Sequence, residues 1–268
     1  MPNHNNIPIW EIDIQIIGPV TIQNNINFST RKELEHPDAF YSDIKIKSNT
    51  NGFTATISAF APNSDLAEKA AILFFGRMLD VLSLRLDLPF QLDLTKNILI
   101  QRNSENVRRI VDKEDFTSSF NEARLLSLTE TTFLRALSWF RKGQYSQDPF
   151  DKFLAYWNSI ETVTSKYNPN KLNCQGKGTI CHIWECFKTV WGECEKWEFI
   201  SGQKKWIDEC NTIRKNIAHG IIPIEIESVS LILEKLPELE KVAHKFLSDW
   251  RINQLNPIIT PEIEARLR

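Results

Sequence analysis

The stretch Ile213-Arg214-Lys215-Asn216-Ile217-Ala218-His219-Gly220 decides how this chain is read. Trp206, Cys210, Ile213 and Ile217 fall at helical spacing and form one apolar stripe. Gly220 can close a helix in the left-handed conformation, and Pro223 forbids its continuation. The spacing therefore predicts a packed helix over about 202–219. Its last turn delivers a permanent cation, a carboxamide and a titratable imidazole together.

These residue types suffice for cutting RNA without a metal. A histidine can take a proton from a 2′-OH, or return one, near neutral pH. An arginine answers the charge that builds on the phosphate oxygens, since it can bond two of them at once. An amide can hold the imidazole or a non-bridging oxygen. Five residues turn an ideal helix by about 140°, so Arg214 and His219 do not share one face. They converge either if the last turn unwinds at Gly220 or across a two-fold axis that brings two copies of the motif to one cleft. The same residues at a helix end also satisfy carbonyls and the macrodipole with no catalysis.

Ile213 to Gly220 resembles the Arg-x4-His motif of the HEPN superfamily, and more narrowly the ApeA-like HEPN proteins of bacteria. The helix predicted from Asp148 through Glu161 also looks like those proteins, and the likeness covers roughly the C-terminal half. It implies a metal-independent endoribonuclease that needs no cofactor, with RNA as substrate. A homodimer acting as a toxin or antiviral effector is implied too, with an antitoxin or defence-system protein as a further partner. Arg214 and His219 would be catalytic, with support from Asn216, and the implied dimer favours convergence across the two-fold axis. One departure is visible. Family members often carry an uncharged polar or acidic residue directly after the arginine, whereas here Lys215 stands there and the amide follows at Asn216. The rival expectation is a non-catalytic HEPN-fold binding or assembly module. A third is an antitoxin-like partner that completes another chain's site.

Working outward, the helix over about 148–167 opens with an acid and a proline, Asp148-Pro149. Phe150, Phe153, Leu154, Trp157, Ile160 and Thr164 form its stripe, and Glu161 shares that face. A carboxylate there needs a partner. Arg214 is the candidate, with Lys166 or solvent at the stripe's edge as alternatives; paired with Arg214, Glu161 would orient the guanidinium. Lys204, Lys205 and Lys215 read as lying on the motif helix, either guiding an RNA backbone or merely solvated. Further helices are expected within 116–143, ended by Lys142-Gly143, then over 178–196 and 226–252, with Pro237 kinking or dividing the last.

The first half differs in kind. Residues 11–16 alternate as a half-buried strand, 20–28 as a weak one, and 43–60 as a hairpin turning at Asn49–Gly52. A helix over about 65–83 follows, capped near Asn63, and the alternation from Leu84 to Leu94 suggests an edge strand despite Pro89. The expected class is α+β. A small N-terminal α+β recognition or regulatory domain occupies 1–115, with charged residues 101–115 as the join. An all-α four- to five-helix bundle of HEPN type occupies 116–254, and a tail 255–268. Arg108-Arg109 in the join reads as a solvated cluster rather than a nucleic-acid contact. Seven of the eight tryptophans lie at or after Trp139, which fits two units with different cores.

Composition sets outer bounds. The 268 residues carry 42% hydrophobic and 25% charged side chains, enough for two cores without staples. A net charge of −2 means that any RNA-binding field must be local. Five cysteines, an odd number, argue against a secreted disulfide framework. Residues 1–6 show no basic or apolar region of a signal peptide, and no run has the length of a membrane span, so the expectation is cytoplasmic. Cys174, Cys181, His182, Cys186 and Cys194 are dense but do not complete a four-ligand zinc pattern, so no metal is expected.

Overall fold

A computed structural model of the chain describes residues 7–29, 40–93, 108–221 and 225–267. Residues 1–6, Leu94, residues 101–107 of the charged join and Pro223, each used in the sequence reading, lie outside them. The chain is mixed α+β and divides into two compact units, Met1–Leu128 with Ile259–Arg268, and Thr129–Ile258.

In the first unit, β1 (Ile9–Ile17), β3 (Ile26–Ser29), β4 (Phe40–Asn49), β5 (Gly52–Phe60) and β6 (Gln91–Asp93) form an antiparallel sheet ordered β3-β4-β5-β1-β6. The two-residue periodicity read from the sequence sets its faces. Ile14, Ile16, Ile44, Ile46, Ala55 and Ile57 are buried, while Glu11, Asp13, Lys45 and Lys47 are exposed. On the outer face Thr56 donates to Asp13 at 2.6 Å. The stretch expected as one strand over 20–28 is broken by polar Gln23-Asn24-Asn25. Its first part, β2 (Val20–Thr21), pairs instead with β7 (Arg109–Ile110) in a separate parallel pair.

Helix α1 runs from Ser64 to Leu86, three residues beyond the expected end, with the Asn63 side chain accepting from the Leu66 N–H. Leu79, Leu82, Ser83 and Leu86 continue its buried helical series, and this outweighs the alternation that starts at Leu84. Asp87, at φ 51°, ends the helix, and the Ser83 hydroxyl donates to the Leu88 carbonyl. Only β6 keeps the edge-strand character expected there.

The division between units falls after α2 (Lys113–Thr129) begins rather than at 115/116. The cause is aromatic: Phe116 and Phe120 on α2 are buried in the first core, with ring centroids 5.3 Å from Phe53 and 5.9 Å from Phe75 respectively. Arg108 donates to the Thr50 carbonyl and Arg109 to that of Leu86, so this pair braces backbone while Arg109 stays exposed to solvent. The last residues, with α8 (Pro261–Leu267), group with the first unit and not as a separate tail.

The second unit holds α3 (Thr131–Tyr145), α4 (Pro149–Tyr167), α5 (Gly178–Trp191), α6 (Trp206–Ala218) and α7 (Ile226–Asn253). Helix α4 is its axis: Phe153, Tyr156, Trp157, Ile160 and Val163 are buried, and α3, α5, α6 and α7 all pack on it. Its N-terminus is as read, with the Asp148 carboxylate accepting from the Phe150 and Asp151 N–H groups at 2.9 Å each. Gly143 is no stop signal. It is buried inside α3, where an added Cβ would stand 2.7 Å from the Tyr156 ring, so it is the small residue that lets α3 approach α4. Pro237 sits within α7 without dividing it. Helix α5 stops at Trp191, short of 196, because Gly192 at φ 78° turns the chain away. The tryptophan-rich core surrounds Phe187, whose ring lies 4.7 Å from Trp191, 5.4 Å from Trp197 and 4.9 Å from Phe246.

Candidate functional site

The site is the C-terminal turn of α6 with the helices that hold it. Trp206, Ile207, Cys210 and Ile213 are buried, and the Trp206 indole donates to Glu238 on α7 at 2.6 Å. These anchors fix the rotation of α6 about its axis and so the direction in which each residue of the motif leaves it.

The helix ends in a Schellman arrangement. The Ile221 N–H donates to the Asn216 carbonyl at 2.8 Å, and the Gly220 N–H to that of Ile217 at 3.0 Å. Gly220 takes φ 62°, the left-handed residue this closure requires. The last turn therefore stays wound to Ala218 and does not unwind to carry His219 back toward Arg214.

Arg214 turns to α4. One Nη atom donates to Glu161 Oε2 at 3.2 Å, with the arginine side chain 29% and the glutamate 20% exposed. Neither Lys166 nor bulk solvent takes the Glu161 carboxylate in place of Arg214. A further partner completes it, the Thr179 hydroxyl in the first turn of α5, which donates to Oε1 at 3.0 Å. Three helices thus meet at one carboxylate.

His219 is exposed, Asn216 is half-buried, and neither side chain bonds any described residue. Lys215 is exposed on the same turn. No hydrogen bond joins Arg214 to His219 within the chain, in keeping with the ~140° between them. The two other lysines lie elsewhere. Helix α6 begins at Trp206, so Lys204 and Lys205 belong to the preceding turn, and Lys204 pairs with Glu195 at 3.5 Å. At ~1.5 Å per residue they sit at the far end of the helix from His219 and cannot share its phosphate in one copy.

The cysteines depart from expectation. Cys174 and Cys181 form a disulfide, with Cα atoms 5.4 Å apart, across the connection between α4 and α5. Cys186, Cys194 and Cys210 are free and buried. His182 faces Asn168, Nδ1 to Nδ2 at 2.8 Å. Among the described residues no group of three or more His, Cys, Asp or Glu side chains could hold a metal ion. Among them, too, no helix is long and apolar enough to cross a membrane.

Thr179 and the disulfide are the features that sequence reading missed. A threonine two positions before a cysteine carries no signal of its own. Two cysteines seven apart around a glycine-bearing loop did carry one, hidden by the odd count.

Compared with protein-family models, with curated proteins and with solved structures, the chain matches none of them.

Proposed function

We propose that the protein is a metal-independent endoribonuclease of HEPN type, acting as a toxin or antiviral effector on RNA at a cleft between two copies of the chain. The observation that carries this reading is the α6 terminus: an arginine held in place by Glu161 at the same helix end as an exposed histidine that has no side-chain partner among the described residues.

In this reading His219 accepts the proton of a ribose 2′-OH, whose oxygen attacks the adjoining phosphorus. The bond to the 5′-oxygen breaks, and that oxygen takes up a proton. The products are a 2′,3′-cyclic phosphate and a 5′-hydroxyl. Arg214 opposes the charge on the non-bridging oxygens; Glu161 occupies one edge of the guanidinium and leaves other N–H groups for phosphate. Asn216 steadies the imidazole or an oxygen, and Lys215 attracts the strand. Because Arg214 and His219 diverge within one chain, the complete set draws on two copies related by a two-fold axis. Lys204 and Lys205 then serve only in a partner copy's approach or in solvation.

The ion pair also suits a second reading, a non-catalytic HEPN-fold module in which Arg214 simply ties α6 to α4. Expression in a bacterial host separates the two. Growth arrest with RNA loss, abolished by Arg214→Ala at unchanged folded fraction, supports the nuclease. Normal growth and intact RNA with the parent chain support the module.

A further inference from the structure

The connection between α4 and α5 is short of packing and rich in freedom. Gly176 and Gly178 take φ 78° and 71°, and no atom of the described residues lies within 4 Å of a Cβ added at either. Leu172 is 87% exposed. Asn170 donates to Glu185 on α5 at 2.9 Å and Asn168 meets His182 at 2.8 Å; two further ties lie closer to Thr179 or within the loop. The first is Asn168, 4% exposed, whose Oδ1 accepts the Asn170 N–H at 2.8 Å and whose amide nitrogen lies 3.5 Å from Cys174 Sγ. The second is the Cys174–Cys181 disulfide, which fastens the otherwise exposed 3-10 turn Lys171–Cys174, through its one buried residue Cys174, to the first turn of α5. Thr179 lies between the free glycine at 178 and the bridged cysteine at 181. Its hydroxyl meets the same carboxylate that holds Arg214.

We propose that Thr179 is a positioning residue for Arg214, acting through Glu161, and that the Cys174–Cys181 disulfide is the clamp that keeps Thr179 within reach. A carboxylate with one donor on each oxygen has a defined plane. Remove the Thr179 donor and Glu161 is free to rotate about its terminal torsion, which has no steep preferred angle. The bidentate-capable face of Arg214 then loses its fixed direction. Opening the disulfide has the same effect from further back. It leaves the first turn of α5 held from beyond Cys181, by His182 against Asn168 and Glu185 against Asn170, contacts that do not reach Thr179.

The opening step needs a dithiol reductant. Its thiolate attacks the sulfur of Cys181, the partly exposed member, and the S–S bond breaks with Cys174 leaving as a thiolate that takes a proton. The reductant's second thiol closes on the mixed disulfide and releases Cys181. Two electrons and two protons pass to the protein, and the reductant leaves as a disulfide.

The catalytic meaning of this device rests on the nuclease reading, but its test does not. The side-chain Nε–Hε signal of Arg214 is assigned by its loss in Arg214→Lys, and its hydrogen exchange with water is measured by NMR in the full chain. Glu161→Ala sets the value for a loosened guanidinium. Thr179→Val and the dithiol-treated wild type are expected to exchange severalfold faster than the oxidised wild type, and Thr179→Ser to match it. Wild-type exchange in Thr179→Val overturns the role of Thr179, and unchanged exchange after reduction overturns the clamp. RNA cleavage is followed in the same samples. Cleavage absent from every sample, with the exchange order as expected, sinks the nuclease reading and leaves the positioning intact.

Discussion

Arg214 on α6 and Glu161 on α4 are joined at 3.2 Å across fifty-three positions of sequence, with both side chains under a third exposed. A guanidinium so held is a fixed donor rather than a mobile surface charge. It also makes α6 dependent on α4 at the end where the motif lies.

Removing the carboxylate tests that dependence. Glu161→Ala is expected to lower unfolding free energy by about 1–3 kcal/mol, the range for a hydrogen bond to a charged group with a partner left stranded. Glu161→Gln keeps an acceptor oxygen and is expected to lose less. Urea denaturation of the three proteins reads the order directly, and equal stability throughout would mean that the pair does not form in solution.

Gly220 carries the helix end. Its φ of 62° is left-handed, yet no atom of the described residues crowds a Cβ there, so the strain of a side chain lies in the backbone. Gly220→Ala is expected to destabilise by about 1–2 kcal/mol and Gly220→Asn by less, because asparagine tolerates this region. Thermal melts of both variants measure the difference.

Gly143 fails for the opposite reason. Its backbone is helical, but an added Cβ would meet the Tyr156 ring at 2.7 Å. Gly143→Ala is expected to destabilise by about 1–3 kcal/mol despite the better helix propensity of alanine. The double change with Tyr156→Phe gives no relief, since the crowding is with ring carbons; Tyr156→Leu does. A stabilised Gly143→Ala protein would contradict the close approach of α3 and α4.

These glycines mark where the sequence was legible and where it was not. Gly220 stood after a periodic apolar stripe and before a proline, so its role could be read from neighbours in the chain. Gly143 looked the same from its neighbours, because the tyrosine that requires it lies on another helix. The sheet was readable for the first reason: its alternation is local. The end of α1 was not, since leucines from 84 to 94 fit two periods at once and the buried helical series decided between them. Phe116 and Phe120 moved the boundary between units because their partners, Phe53 and Phe75, are more than forty positions away. At the site, Arg214 and Glu161 were each visible as residues wanting a partner, whereas the Thr179 hydroxyl announces nothing until the third helix is placed beside them.

The free thiols give a chemical check. Burial pushes Cys186 and Cys210 up from 9.0 to about 12. The native fold thus holds both as neutral thiols at pH 8, and native protein is expected to resist iodoacetamide at both positions. Unfolded but unreduced chain should take three labels, at Cys186, Cys194 and Cys210, and reduced chain five, counted by mass. The folded values lie above the unfolded ones, so the stabilisation linked to these thiols is complete below about pH 9 and is lost as pH rises toward 12. The stability gap between wild type and Cys186→Ala/Cys210→Ala is expected to narrow across that window; a gap that widens would reverse the sign.

The most direct test of the central claim is cleavage of RNA by the oxidised, purified chain in excess chelator, beside Arg214→Ala and His219→Ala, with the termini of the products determined. The account predicts 2′,3′-cyclic phosphates from the wild type and a rate at least about a hundredfold lower from His219→Ala, as expected for loss of a general base. Mixing the two variants should restore part of the activity, because each supplies what the other lacks at a shared cleft. Equal cleavage by wild type and both variants, or no cleavage by any of them, would contradict it.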